Sequence, residues 1–343
     1  TWNGIYSTFK SAHIIINQCN EGGIDYGNFA TKGMAEVLAA YNCALIADMF
    51  GDAPCSQAAL VDENGSPVYL TPKMDKQEEI YTQAMQYLDD AIADLQKEDL
   101  IDPGAQDLLY QGDAEKWLKL AYGLKARYTM HLLKRSANKD ADMEKVLEYV
   151  DNSFESAEEQ AAFDVYDANN INPLYGFFVA RAGLGASESM RSKLAEYNDP
   201  RLSRAFITKQ GASGKEQAPG TADNAVYAPN GTPEQGTSKY GTSLFMYSIS
   251  APTLLLSYHE LKFLEEEALC RLGRDAKSAL KEAVVAGLLN AENSFSISRK
   301  ELGNTLLNPA SAITEEEANS YFDKTVEATY TNEPLKTTMI QKY

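Results

Sequence analysis

Glycan hydrolysis needs two carboxylates about 5 to 10 Å apart across a cleft. The chain carries 49 acidic residues, so chance pairs are plentiful and residue type alone selects none. The most suggestive cluster is "HELKFLEEEA", His259 to Ala268. It fails as the metalloprotease pattern H-E-x-x-H because Phe263 stands where the second histidine must be. The run Glu265 to Glu267 reads as including a solvated helix face. Only three histidines are present, and His13 and His131 lie in apolar helical patterns that read as core or boundary positions. No G-x-S-x-G elbow, phosphate-cradling loop or dinucleotide fingerprint occurs. Cys19, Cys43, Cys55 and Cys270 show neither C-x-x-C spacing nor histidine-rich surroundings, which argues against zinc. Cys43 and Cys270 read as small core fillers. The expectation is a protein with no catalytic residues, no metal and no cofactor.

Binding has a better basis. Twenty tyrosines, twelve phenylalanines and two tryptophans supply flat faces, and sugar rings present apolar C–H patches that lie against such faces while polar neighbours hold the hydroxyls. Trp117 and Tyr128 fall on a helical stripe and Trp2 packs in the "TWNGIYSTF" helix, so all three read as core. The aromatics off the stripes are the candidates: Tyr69 in one long connection, and Tyr166, Tyr175, Phe177, Tyr227 and Tyr240 in or beside another, near Asn169, Asn170, Asn172 and Arg191. Loops carrying tyrosines on a rigid scaffold are a common way to build a binding face. Few tryptophans lie in the connections, which points to a short oligosaccharide or a peptide.

A net charge of −18 repels phosphate backbones and anionic headgroups, so nucleic acid is a poor partner. No run reaches the roughly 18 consecutive apolar residues of a membrane span.

Helical periodicity must position these residues. Ile80, Ala84, Leu88, Ala91 and Leu95 form one stripe, with Asp75 and Glu78 resembling its capping box. Trp117, Ala121, Leu124, Tyr128 and Leu132 form a second behind the N-cap candidate Asp113, and Met143 to Phe154 a third. Leu261 to Leu272 end at Gly273, and a partner helix starts near Asp275. Thr314 and Glu317 open a helix near the end. The stretch "ALIADMFGDAPCSQA", Ala44 to Ala58, is an apolar helix stopped at Gly51-Asp52-Ala53-Pro54. Residues 51 to 75 and 165 to 250 are connections too long for simple turns, the second with few helical signals. Within it, Lys209 to Gly241 reads as mobile surface loop. The fold class expected is mainly all-α, built of helix pairs.

Several blocks, "AAYNCALIADMFGDAPCSQAAL", "TPKMDKQEEIYTQAMQYLDDAIADL", "GDAEKWLKLAYGLKARYTMHLLKR", "NDPRLSRAF", "SAPTLLLSYHELKFLEEEALCRLG" and "MIQKY", follow one another as in a known family. The chain resembles the SusD/RagB-like nutrient-binding lipoproteins of bacterial outer membranes. The resemblance departs in "AYGLKARYTMHL", where relatives tend to read Ala-Asn-Ser for Ala-Tyr-Gly. It implies tetratricopeptide-like helix pairs at about 1–160 and 251–343, and a loop-rich ligand region at about 161–250 within one domain, 1–343, trimmed at both ends. It also implies surface attachment through an N-terminal lipid, a SusC-like TonB-dependent transporter as partner, and delivery of glycan without bond cleavage. Against this stand a peptide ligand in the same role, an intracellular tetratricopeptide adaptor and a helical-barrel glycosidase.

Overall fold

The computed structural model describes residues 2–62, 65–180, 185–210, 216–219, 226–231 and 240–343. They fall into two compact units, Thr1–Ala161 and Ala162–Tyr343. In both, helices dominate, as the stripes predict.

The first unit contains α1 (Trp2–Cys19), α2 (Phe29–Phe50), α3 (Gln77–Leu95), α4 (Ala114–His131) and α5 (Lys139–Asp151). Each helix packs on the next in chain order. Phe9, Ile46, Ile80, Leu88, Leu120, Leu124 and Met143 are fully buried between them. The α2 helix is apolar all round rather than on one stripe, and such a helix belongs inside. Among the described residues it alone is long and apolar enough to cross a bilayer, yet 67% of that window is buried within the fold. Small residues let its neighbours close in: a Cβ on Gly33 would sit 2.6 Å from the Leu95 Cγ. Trp2 is half-exposed rather than packed inside, its ring set against Tyr6 and Phe50 at 4.8 and 4.6 Å.

The connection after α2 is fastened at both ends. Gly51 takes a φ of +72°, and Asp52 receives the Gln77 N–H (3.0 Å) and the Lys76 ammonium (2.7 Å). Ala53 and Asp75 exchange backbone hydrogen bonds. The capping box expected at Asp75 and Glu78 is shifted by one residue, because Glu79 accepts the Lys76 N–H (2.9 Å). Asp75 is recruited elsewhere. Its buried carboxylate accepts the N–H groups of Cys55 (2.8 Å) and Ser56 (2.7 Å) and the Ser56 hydroxyl (2.8 Å).

In the second unit the short strand β1 (Ala161–Phe163) is followed by α6 (Pro173–Ala180), α7 (Glu188–Glu196), β2 (Phe206–Gln210), β3 (Glu216–Pro219), β4 (Thr242–Ser243) and β5 (Thr253–Leu256). It closes with α8 (Tyr258–Arg271), α9 (Lys277–Leu302), α10 (Glu315–Tyr321), α11 (Glu327–Asn332) and α12 (Pro334–Lys342). β1 pairs with β5. β2 lies between β3 and β4, antiparallel to both, with Ile207 opposite Pro219 and Thr242. The connection at 165–250 therefore holds two helices and a small sheet. Parts of Lys209–Gly241, at 211–215, 220–225 and 232–239, lie outside the described residues. α8 and α9 turn at Gly273, whose φ of +68° suits glycine. Their core includes Phe263, Leu280, Val284, Leu288, Phe322 and Val326. A second core joins Phe206, Ile207, Tyr227, Leu244 and Phe295.

The acidic run on α8 is only partly a solvated face: Glu266 is fully buried, its Oε1 accepting the Thr338 hydroxyl (2.6 Å). Burial pushes its carboxyl up from 4.5 to about 7. The folded state thus holds a proton that the unfolded chain releases, so this stabilisation is complete below pH 4.5 and is lost as pH rises through 7. Glu266→Gln, uncharged throughout, is expected to gain about 3 kcal/mol relative to the parent between pH 4.5 and 7.5. Urea midpoints of both proteins across that range check it; parallel curves would refute it.

Candidate functional site

The candidate ligand residues from 166 to 177 fall on one segment whose support can be traced inward. Glu301, near the end of α9, accepts the Ser248 hydroxyl (3.1 Å), the Ile249 N–H (2.8 Å) and the Ser250 hydroxyl. Ser248 Oγ in turn accepts the N–H groups of Ser250 (3.1 Å) and Ala251 (2.7 Å). This fixed loop receives Asn172: its N–H donates to the Ile249 carbonyl (2.8 Å) and its amide to the Ala251 carbonyl (2.7 Å). The Asn172 Oδ1 accepts the Leu174 N–H (2.7 Å) and so caps the start of α6.

On α6, Phe178 packs against Tyr247 at 4.9 Å between ring centroids, while Leu174, Phe177 and Val179 are 46%, 51% and 60% exposed. Tyr175 is half-buried beside them. Upstream, the Tyr166 hydroxyl pairs with Thr253 Oγ1 (2.7 Å), and its ring meets Phe163 edge-on at 5.0 Å. Asp167 Oδ1 accepts the N–H groups of Asn169 (2.8 Å) and Asn170 (2.7 Å), a turn that leaves both asparagine side chains exposed. Tyr166, Asn170, Tyr175 and Phe177 thus share one short, well-supported segment. It sets exposed apolar and aromatic groups beside a polar turn.

Three candidates correct the expectation of exposure. Asn172 is buried because both ends of its amide are spent on the cap and loop just described. Tyr227 is buried because β2 brings Phe206 against its ring edge at 5.3 Å. Tyr240 is buried over Gly185, where a Cβ would meet its own Cβ at 3.1 Å. Arg191 is half-buried and already engaged. It forms a fork with Glu188 (Nη2 to Oε1 2.7 Å) and lies 5.6 Å from the Tyr227 ring centroid. That hydrogen-bonded fork holds the Glu188 carboxyl below its ordinary range. Tyr69 belongs to the first unit and is 44% exposed.

A second feature escaped the sequence reading. In the first unit a groove of about 780 Å³ is lined by residues including Lys76, Glu78, Tyr81, Gln86, Arg135 and Asp142. Tyr81 donates to Asp48 and lies 3.1 Å from His131 Nδ1, which is 3.4 Å from the other Asp48 oxygen. Burial works to raise the Asp48 pKa, but the hydrogen bonds from His131 and Tyr81 outweigh it and hold the carboxyl below its ordinary value. His131 is exposed rather than core. Its helical stripe concealed this, since only tertiary packing brings Asp48 and Tyr81 to it. Among the described residues, no group of three or more His, Cys, Asp or Glu side chains is arranged to hold a metal ion.

Over residues 1–343 the chain matches the SusD-like family described as starch-binding and associating with the outer membrane. A SusD/RagB family protein from Bacteroides thetaiotaomicron VPI-5482 is 64% identical and superposes with a TM-score of 0.94, covering 100% of this chain and 71% of that one. A chitin-binding protein is 23% identical, with a TM-score of 0.75 over 100% of this chain and 71% of its own. A SusD homologue from Bacteroides fragilis NCTC 9343 is 21% identical, with a TM-score of 0.75 over 99% and 72%. These last two likenesses speak for the fold. No curated protein matches.

Proposed function

Because this chain belongs to the SusD-like family of starch-binding proteins that associate with the outer membrane, we propose that it captures an oligosaccharide at the cell surface and passes it, unbroken, to a SusC-like TonB-dependent transporter. In this reading an N-terminal lipid anchors the protein, the helix pairs at about 1–160 and 251–343 are scaffold within one functional domain, and residues 161–250 supply the ligand face. The observation that supports the placement is α6: the Phe177 side chain is 51% exposed on a helix held by Phe178 on Tyr247 and by the Asn172 cap. A fixed aromatic loses little conformational freedom when a sugar ring settles on it. Tyr175, Tyr166 and Asn170 flank it, and Tyr69 and Arg191 are peripheral candidates.

Calorimetric titration of starch-type oligosaccharides, unrelated glycans and short peptides tests the ligand class. Phe177→Ala is expected to weaken the favoured ligand roughly 3- to 10-fold with an unchanged melting temperature. Unchanged affinity would remove α6 from the site, and binding of peptides alone would replace the glycan reading. Chromatography of the incubated oligosaccharide is expected to return it intact; shortened products would make the protein an enzyme.

A further inference from the structure

α2 ends at Phe50, and Gly51 and Pro54 turn the chain back so that Cys55 comes to rest beside Cys43 of the same helix. The two sulfurs lie 3.3 Å apart, both residues are fully buried, and 12 positions separate them in the chain. Cys55 is not there by chance of a loose loop. Its N–H is held by the Asp75 carboxylate, and the carbonyl of the preceding Pro54 accepts the Tyr6 hydroxyl at 2.6 Å. Cys19 and Cys270 take part in no such contact: Cys19 is buried on α1 of the first unit and Cys270 lies on α8 of the second.

We propose that Cys43 and Cys55 are a disulfide-forming pair, joined in the protein that reaches the outer membrane. A disulfide is about 2.05 Å long, so roughly 1.2 Å of approach remains, within reach of small side-chain rotations. The inference rests on the family's outer-membrane association, which takes the chain out of the reducing cytosol, and not on the choice of glycan or on α6. The oxidant is a disulfide of the thiol–disulfide oxidoreductase class. One cysteine thiolate attacks it to give a mixed disulfide and expels one oxidant thiol. The second cysteine then displaces the other. Two protein thiols become one S–S bond, the oxidant's disulfide becomes two thiols, and protons balance. Exchange takes place before the connection closes over the pair, since both residues are fully buried once folded and an oxidant cannot reach them, and burial also pushes the Cys43 thiol well up.

The test is alkylation of unfolded protein, isolated from the outer membrane without reductant, followed by mass spectrometry. Within residues 1–343, alkylation of Cys19 and Cys270 and a linked peptide joining Cys43 to Cys55 are expected; reduction first should alkylate all four cysteines of that stretch. In Cys55→Ser the same procedure should alkylate Cys43 as well, and because it is read on unfolded chains it does not depend on the variant's stability. Alkylation of both Cys43 and Cys55 in unreduced parent protein, or a linkage through Cys19 or Cys270, would overturn the proposal. A glycan-binding failure would leave this result untouched, so the two readings can fail separately.

Discussion

Asp107→Ala is expected to destabilise the first unit by about 3 to 4 kcal/mol. Asp107 is nearly buried and acts as the acceptor for a whole turn. Its Oδ1 takes the Leu109 N–H (2.9 Å), and its Oδ2 takes the N–H groups of Tyr110 (3.2 Å) and Gly112 (3.0 Å) and the Trp117 indole N–H (2.8 Å). The indole bond joins the turn to the first turns of α4, and Tyr110 seals it edge-on against Trp117 at 5.7 Å between centroids. Hydrogen bonds to a charged acceptor contribute about 1.5 to 3 kcal/mol each, and a donor left buried costs about as much. The turn amides recover part of this by meeting water, whereas the buried indole cannot. Urea unfolding followed by tryptophan emission measures the loss. Asp107→Asn provides the mechanistic check: placing its amide oxygen at the crowded Oδ2 position loses one bond instead of four, so its cost should be about half. Equal costs for the two variants would mean that packing, not acceptor chemistry, sets the effect.

A comparable loss, about 3 to 5 kcal/mol, is expected for Glu292→Ala in the second unit. Glu292 is buried on α9, where its Oε1 accepts from the Arg299 guanidinium and its Oε2 accepts the Ile313 N–H (3.0 Å). The Arg299 side chain is only 14% exposed. Removing the carboxylate strands a nearly buried cation and a buried amide together, which is why breaking such a pair costs more than the pair itself contributes. Hydrogen exchange at Ile313 should accelerate in parallel with the fall in urea midpoint. Exchange at the parental rate would show that another group had taken over the amide. The ligand affinity of the folded variant should be unchanged, because neither Glu292 nor Ile313 lies on the α6 segment.

The helical framework was legible because its information is local. A period near 3.6 in Ile80–Leu95 or Trp117–Leu132, and side-chain caps such as Asp113 and Thr314, act within a few residues and hold in the structure. The failures are long-range. Asp75 looks like a helix cap until the amides of Cys55 and Ser56, about 20 residues earlier, claim its carboxylate. Tyr227 and Tyr240 sit among turn-forming residues, yet Phe206 and Gly185 cover them, and no periodicity announces this. The segment Pro173–Ala180 carries too short and too uniformly apolar a pattern to declare itself a helix, and its position depends on Glu301, more than a hundred residues away. Among the candidate residues, Phe177 and Tyr69 stay exposed after packing, at 51% and 44%.

The two aspartates that fasten the first long connection carry a consequence for how such a protein changes over generations. Asp52 and Asp75 close the base of the loop by themselves, through Lys76, Gln77, Cys55 and Ser56. The early part of the loop still rests on α1, where the Ala59 carbonyl lies 3.2 Å from His13 Nδ1 and Ala58 and Val61 are buried, whereas Val68, Tyr69, Leu70 and Met74 are exposed. Closing a longer loop between fixed ends costs only about 0.6 kcal/mol per doubling of its length. Insertions, deletions and replacement in the exposed stretch 68–74, Tyr69 included, can be sampled as an exchangeable cassette, so that sequence can diversify at this edge while the folding of α2 and α3 stays as it was.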